Sequence, residues 1–138
     1  MSLPPHAALL ARSRTIAVVG FSATPGKAAH DAPMELVRRG FDVIPVNPRV
    51  TEIAGIATVP DLASIDRHVD LVDVFRPAEE TPAVAEQAAA IGAGGLWLQL
   101  GIVSSAARAI AKAAGMDYVE DQCVAPTARQ YDLRPPAD

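Results

Sequence analysis

Residues suited to gripping a phosphorylated ligand fall in five short groups along the chain: Gly20-Phe21-Ser22 with Pro25-Gly26-Lys27, Asn47-Pro48-Arg49, Phe75-Arg76, Gln99-Leu100-Gly101 and Asp121-Gln122-Cys123. A loop of small residues that ends in a lysine and runs into a helix aims backbone N–H groups and a helix N-terminus at one spot, which binds anions and phosphates above all. Arginine adds an always-charged fork matched to phosphate oxygens. Two better-known phosphate loops do not fit. Gly20 to Gly26 encloses one residue too many for a Walker A loop, and Ala28 after Lys27 offers no hydroxyl to magnesium. Ser22 stands where the dinucleotide fingerprint needs its second glycine. On the loop alone, an ordinary strand-to-helix turn explains the glycines as well as a phosphate site does.

These groups need elements to position them. Ile16-Ala17-Val18-Val19 is a continuous apolar run, the pattern of a strand buried on both faces of a parallel sheet, and Gly20 ends it. Residues 31–39 read as a helix stopped by Gly40. Phe41-Asp42-Val43-Ile44-Pro45-Val46 reads as a strand that Pro45 demotes toward a sheet edge. Residues 51–65 read as loop, with an extended piece near Ile56 and a helical turn from Pro60. Asp70 to Phe75 is another two-sided apolar strand, followed by an alanine-rich helix from Glu79 or Thr81 to Gly92. A strand at 96–100, a helix capped by Ser104 or Ser105, a strand near 118–120 and a helical turn at 125–131 complete the order, after an opening helix at 5–12.

Strands alternating with helices imply right-handed crossovers and an α/β fold: a Rossmann-like, doubly wound parallel sheet of about five strands with helices on both faces. Residues 1–138 are expected to form one domain, with 1–13 as an N-terminal helix or arm and 134–138 as a frayed tail. In such a sheet ligands bind outside the carboxyl ends of the strands, where the order reverses, and each of the five groups follows a strand.

Composition narrows the ligand. A net charge of −4 and pI near 5.3 argue against nucleic acid, whose binders carry a basic surplus. No apolar run reaches the length of a membrane span, so a cytoplasmic location is expected. The single cysteine cannot form an internal disulfide, and His6, His30 and His68 lack metal-ligand spacing. Asn47 with Arg49 occupies the place where a nicotinamide site wants an acidic residue, which suits a phosphorylated ribose and leaves NADP, coenzyme A or a simpler nucleotide.

The runs V-V-G-F-S, V-I-P-V-N-P-R, V-D-V-F-R, L-W-L-Q-L-G and D-Q-C resemble, in order and over about residues 14–133, the small stand-alone coenzyme A-binding proteins, whose Rossmann-like domain is akin to that of the succinyl-CoA synthetase α subunit. Ala28, Ala29 and Gln122 depart from the residues common there. The resemblance implies coenzyme A or an acyl-CoA as ligand, with Gly20 and Ser22 at the pyrophosphate and Phe21, Pro25 and Lys27 as cofactor-binding residues of the same loop. It puts Asn47, Pro48 and Arg49 at the adenosine 3′-phosphate, Phe75 and Arg76 along the cleft, and Gln99, Gly101 and Cys123 toward pantetheine. A binding or sensing module is expected ahead of an NADP-dependent or acyl-transfer enzyme, since no catalytic histidine stands in a suitable loop. A homo-oligomer or another protein partner is left open. His30 is expected at the surface, Trp97 in the core, and Asp73 as a buried structural carboxylate. Cys123 at a helix start is read either as a small buried hydrophobe or as a thiol made reactive by nearby N–H groups.

Overall fold

The computed structural model describes residues 2–137, so Met1 and Asp138, which close the expected arm and tail, lie outside it. The elements run α1 Pro5–Ala11, β1 Thr15–Val19, α2 Ala28–Arg38, β2 Asp42–Val46, β3 Glu52–Ile53, β4 Ile56–Ala57, β5 Leu71–Val74, α3 Thr81–Ala90, β6 Gly95–Leu98, α4 Ser105–Ala113, β7 Asp117–Val119 and α5 Val124–Gln130. Five strands form one parallel sheet in the order β2-β1-β5-β6-β7. Pro45, with no N–H to give, lies on the edge strand β2 opposite Val18. The chain shields that edge itself: Val59 pairs with Val46, its N–H donating to Pro45 O while its own carbonyl accepts from Asn47 N.

Alternate residues of the central strands feed two cores. Ile16, Val18, Leu71 and Trp97 pack with α1, α2 and α5 on one face. Ala17, Val72, Val74, Leu96 and Leu98 pack with α3 and α4 on the other. The continuous apolar runs are therefore strands covered by helices on both faces.

Helix boundaries follow local chemistry. Ser104 Oγ accepts the Ala107 N–H at 3.1 Å and caps α4. α2 begins at Ala28, three residues before the expected Asp31, and continues through Pro33. Proline in a helix leaves the carbonyl four residues earlier without its donor. Here that carbonyl, Ala29 O, accepts the Ser22 N–H at 2.9 Å, so the loop after β1 is anchored by the bond the proline gave up. Residues 52–57, read as mostly loop, form a small hairpin in which Ala54 (φ 51°) and Gly55 (φ 81°) turn the chain.

Candidate functional site

The five sequence groups meet along the carboxyl edge of the sheet, and backbone hydrogen bonds tie each to its neighbour. Gly20 N donates to Val46 O, Phe75 N to Val19 O, Gln99 N to Val74 O and Gln122 N to Leu98 O. The row runs in sheet order, and the reversal of strand order falls between β1 and β5, at Gly20 and Phe75. Gly20 has φ +87°, and a Cβ there would sit 2.7 Å from Phe75 O and 2.9 Å from Arg76 Cδ. Only glycine lets these two strand ends approach so closely.

The loop from Ser22 to Lys27 holds its shape through its own bonds. Ser22 Oγ accepts the Thr24 N–H at 3.1 Å and Asp31 Oδ1 accepts the Gly26 N–H at 3.1 Å. The first intrahelical acceptor is Lys27 O, which takes the N–H groups of His30 and Asp31 and leaves the amides of Ala28 and Ala29 ahead of it. Pro25 and Lys27 are exposed at the tip. Asn47 links this loop to the end of β2: its Nδ2 donates to Phe21 O at 3.0 Å, while its Oδ1 accepts the Arg49 N–H at 2.9 Å. That leaves the Pro48 ring and the Arg49 guanidinium exposed, with no ion pair to Arg49 among the described residues.

Other predicted site residues are engaged within the protein. Phe21 is fully buried and stacks edge-on against His30 with ring centroids 5.9 Å apart, so its side chain belongs to the core. Arg76 makes two bonds to Glu80, at 3.0 and 2.9 Å, in an exposed pair that raises the arginine pKa and lowers that of the carboxyl. Phe75 is half-buried beside it. Gln99 is 4% exposed; its Nε2 donates to Asp73 Oδ1 and its Oε1 accepts the Val124 N–H at 3.3 Å. Gly101 (φ +85°) is exposed and its N–H donates to Asp121 Oδ1 at 2.7 Å.

One expectation changes, and one of the two readings of Cys123 is favoured. His30 is not a surface residue: it is 9% exposed, and its Nδ1–H donates to Ser22 O at 2.7 Å, because the Ser22–Ala29 bond folds the loop back over the first turn of α2. Cys123 does precede α5, but burial pushes its thiol pKa up, the Asp73 charge adds to the rise, and the Ala125 N–H and Arg129 only partly offset it. A thiol held protonated at neutral pH is a poor nucleophile. Trp97 is fully buried as expected, its Nε1–H donating to Gln122 O at 2.9 Å.

A hollow of about 520 Å³ adjoins the row between α2 and α5, lined by Pro25, Ala28, His30, Met34, Cys123 and Pro126 among others. Of the predicted residues it meets only Pro25 and Cys123, so it lies beside the strand-end row rather than on it. Its outer wall is a clamp: Glu35 takes bonds from Arg39 at 3.0 Å and Arg129 at 2.6 Å. Burial pushes the Glu35 carboxyl up, but these bonds outweigh it and hold the pKa below the ordinary value. His30 and Arg129 escaped the sequence reading because their places depend on how α2 and α5 pack. Among the described residues no cluster of three or more His, Cys, Asp or Glu is placed to hold a metal ion, and no helix is long and apolar enough to cross a membrane.

Comparison with known proteins gives the family and the fold. Residues 14–127 match the CoA binding domain family. The chain is 37% identical over 116 residues to Bacillus subtilis (strain 168) YneT, covering 84% of this chain and 86% of that one. It is 31% identical over 84 residues to acetate–CoA ligase (ADP-forming) II of Archaeoglobus fulgidus, covering 59% of this chain but 12% of the ligase. A solved protein of Pyrococcus horikoshii OT3 superposes with a TM-score of 0.87 at 30% identity, over 94% of this chain and 92% of that chain.

Proposed function

The chain belongs to the CoA binding domain family, and from that premise we propose that it holds coenzyme A or an acyl-CoA at the carboxyl edge of its sheet, as a binding or sensing module. One observation carries the reading: Gly20 brings the ends of β1 and β5 so close that a methyl group would strike Phe75 O at 2.7 Å, at the point where the strand order reverses. A pyrophosphate beside Gly20 and Ser22 meets the loop and the first-turn amides of α2. Lys27 supplies a nearby positive charge. Arg49, exposed and held out by Asn47, takes the adenosine 3′-phosphate. Phe75 and Arg76 flank the nucleotide, while Gly101 and Cys123 lie toward the pantetheine end. Gln99 contributes by supporting the start of α5 rather than by touching the ligand.

The test is a ranking of thermal shifts with coenzyme A, acetyl-CoA, NADP and ATP on the purified protein. A ligand at 100 times its dissociation constant adds about 2.7 kcal/mol to stability, a shift easily read. Coenzyme A or acetyl-CoA is expected first. NADP or ATP above both would transfer the site to another nucleotide class.

A further inference from the structure

The Asp73 carboxyl is a buried polar group that the fold does not explain. It is fully buried on β5, opposite Val18 of β1 and Trp97 of β6 in register, among apolar neighbours of the face covered by α1, α2 and α5. Oδ1 accepts from Gln99 Nε2, whereas Oδ2 has no partner among the described residues. A buried carboxyl missing half its partners is costly.

The partners it does have fix where a proton can go. Gln99 turns its NH2 toward Asp73 because its other end accepts the Val124 N–H at 3.3 Å. A proton on Oδ1 would set two donors against each other and break that bridge. A proton on Oδ2 leaves it intact. The charged and neutral acid therefore share one geometry and differ by a proton on the orphaned oxygen.

The surroundings supply little competing charge. From β1 the register neighbour is Val18, and from β6 Trp97 and Gln99. From the start of α5 come Val124 and the Cys123 thiol, which burial and the Asp73 charge keep protonated. Arg129 of α5 also acts on Cys123 but is ion-paired to Glu35 of α2. The remaining imidazoles on this face are engaged elsewhere, His6 of α1 against Trp97 and His30 of α2 against Phe21 and Ser22 O.

We propose that Asp73 is a proton-linked positioning residue of the cleft: through Gln99 it holds the Cys123–Val124 corner, and it takes up a proton on Oδ2 when a polyanionic coenzyme A-class ligand occupies the strand ends. The inference rests on the binding reading above. A ligand there brings negative charge toward a carboxyl already out of water, and that disfavours the carboxylate. Burial already pushes the Asp73 pKa up to about 7, with the Gln99 and Val74 N–H groups pulling it back, so the free protein responds near neutral pH. If the bound form keeps its proton throughout, affinity falls about tenfold between pH 6 and pH 8.

The experiment is calorimetric titration of coenzyme A at pH 7 in two buffers of different ionisation heat, on the wild type and Asp73→Asn. An asparagine amide keeps an oxygen for Gln99 and places a fixed donor at the Oδ2 position. The wild type is expected to take up roughly half a proton more than the variant; proton changes on the ligand's own phosphate cancel in the difference. Carbon-13 NMR of the aspartate carboxyls gives a second readout on the wild type alone, the Asp73 midpoint moving upward on saturation. Equal proton numbers in the two proteins, or an unmoved midpoint in the saturated wild type, overturn the inference while leaving binding intact. No heat from coenzyme A in either buffer and no ligand-dependent carboxyl shift in the wild type remove the binding reading, and the inference with it.

Discussion

Replacing Gly20 with alanine tests the close approach on which the cleft depends. The substitution forces an L-residue into φ +87°, which costs about 1–2 kcal/mol. It also drives a Cβ to 2.7 Å from Phe75 O. That oxygen cannot swing aside like a side-chain tip, because Phe75 N is bonded to Val19 O at 2.9 Å and holds the backbone to β1. The strand ends must separate, an overpacking cost of about 1–3 kcal/mol. Gly26→Ala is the matched control, with φ +94° and nothing within 4 Å of the added carbon, so it bears the backbone cost alone. At about 4 °C per kcal/mol for a chain of this length, Gly20→Ala should lower Tm by about 8–20 °C and Gly26→Ala by about 4–8 °C. Calorimetric unfolding of both variants measures the difference. Equal losses would show that the approach of β1 to β5 is not tight and would refute the reasoning.

Arg49→Ala should weaken coenzyme A about tenfold and 3′-dephospho-coenzyme A hardly at all, since an exposed charged contact to phosphate keeps only the lower part of its usual range; equal losses in titration calorimetry would remove Arg49 from the 3′-phosphate. Asp73 has a folded pKa of about 7 against 3.8 ordinarily, so the native state binds the extra proton between those values and stability falls as pH rises through them, by at most about 4 kcal/mol. Denaturation at pH 5 and pH 8 should show that slope in the wild type and its loss in Asp73→Asn. Arg76→Ala should leave Tm nearly unchanged, because the pair with Glu80 is exposed, so any large fall in coenzyme A affinity reads the cleft and not the fold. Cys123 should react with a thiol-specific reagent at pH 7 more slowly than an unfolded control, since burial favours its protonated form; an equal or faster rate would count against the raised pKa.

The parts of this fold legible in the sequence were those governed by local pattern. Apolar runs identified the strands of the main sheet, and Pro45 marked β2 as an edge because a missing N–H is tolerated only there. Positions at the strand ends followed from topology, which places every such group on one edge. The hairpin at 52–57 was missed because Ala54-Gly55 lacks the Asn or Asp that signals a tight turn. The expected fourth strand, 96–100, starts one residue late and runs two residues past the end of β6 at Leu98, because Leu100 is apolar yet 70% exposed. His30 was misplaced because its burial depends on Ser22 bonding to the carbonyl freed by Pro33, a link no periodicity reveals. The Asp73–Gln99–Val124 bridge joins residues up to 51 positions apart, and only the register of β5 with β6 and the docking of α5 bring them together.

The central claim, that coenzyme A binds along the carboxyl edge of the sheet, is tested most directly by titrating isotope-labelled protein with coenzyme A and following backbone amide resonances. The account predicts saturable shifts at Gly20, Ser22, Lys27, Arg49, Arg76 and Gly101. Shifts confined to Gly40, Gly92 and Gly115, which follow the helices on the opposite edge, or none at millimolar ligand, would contradict it.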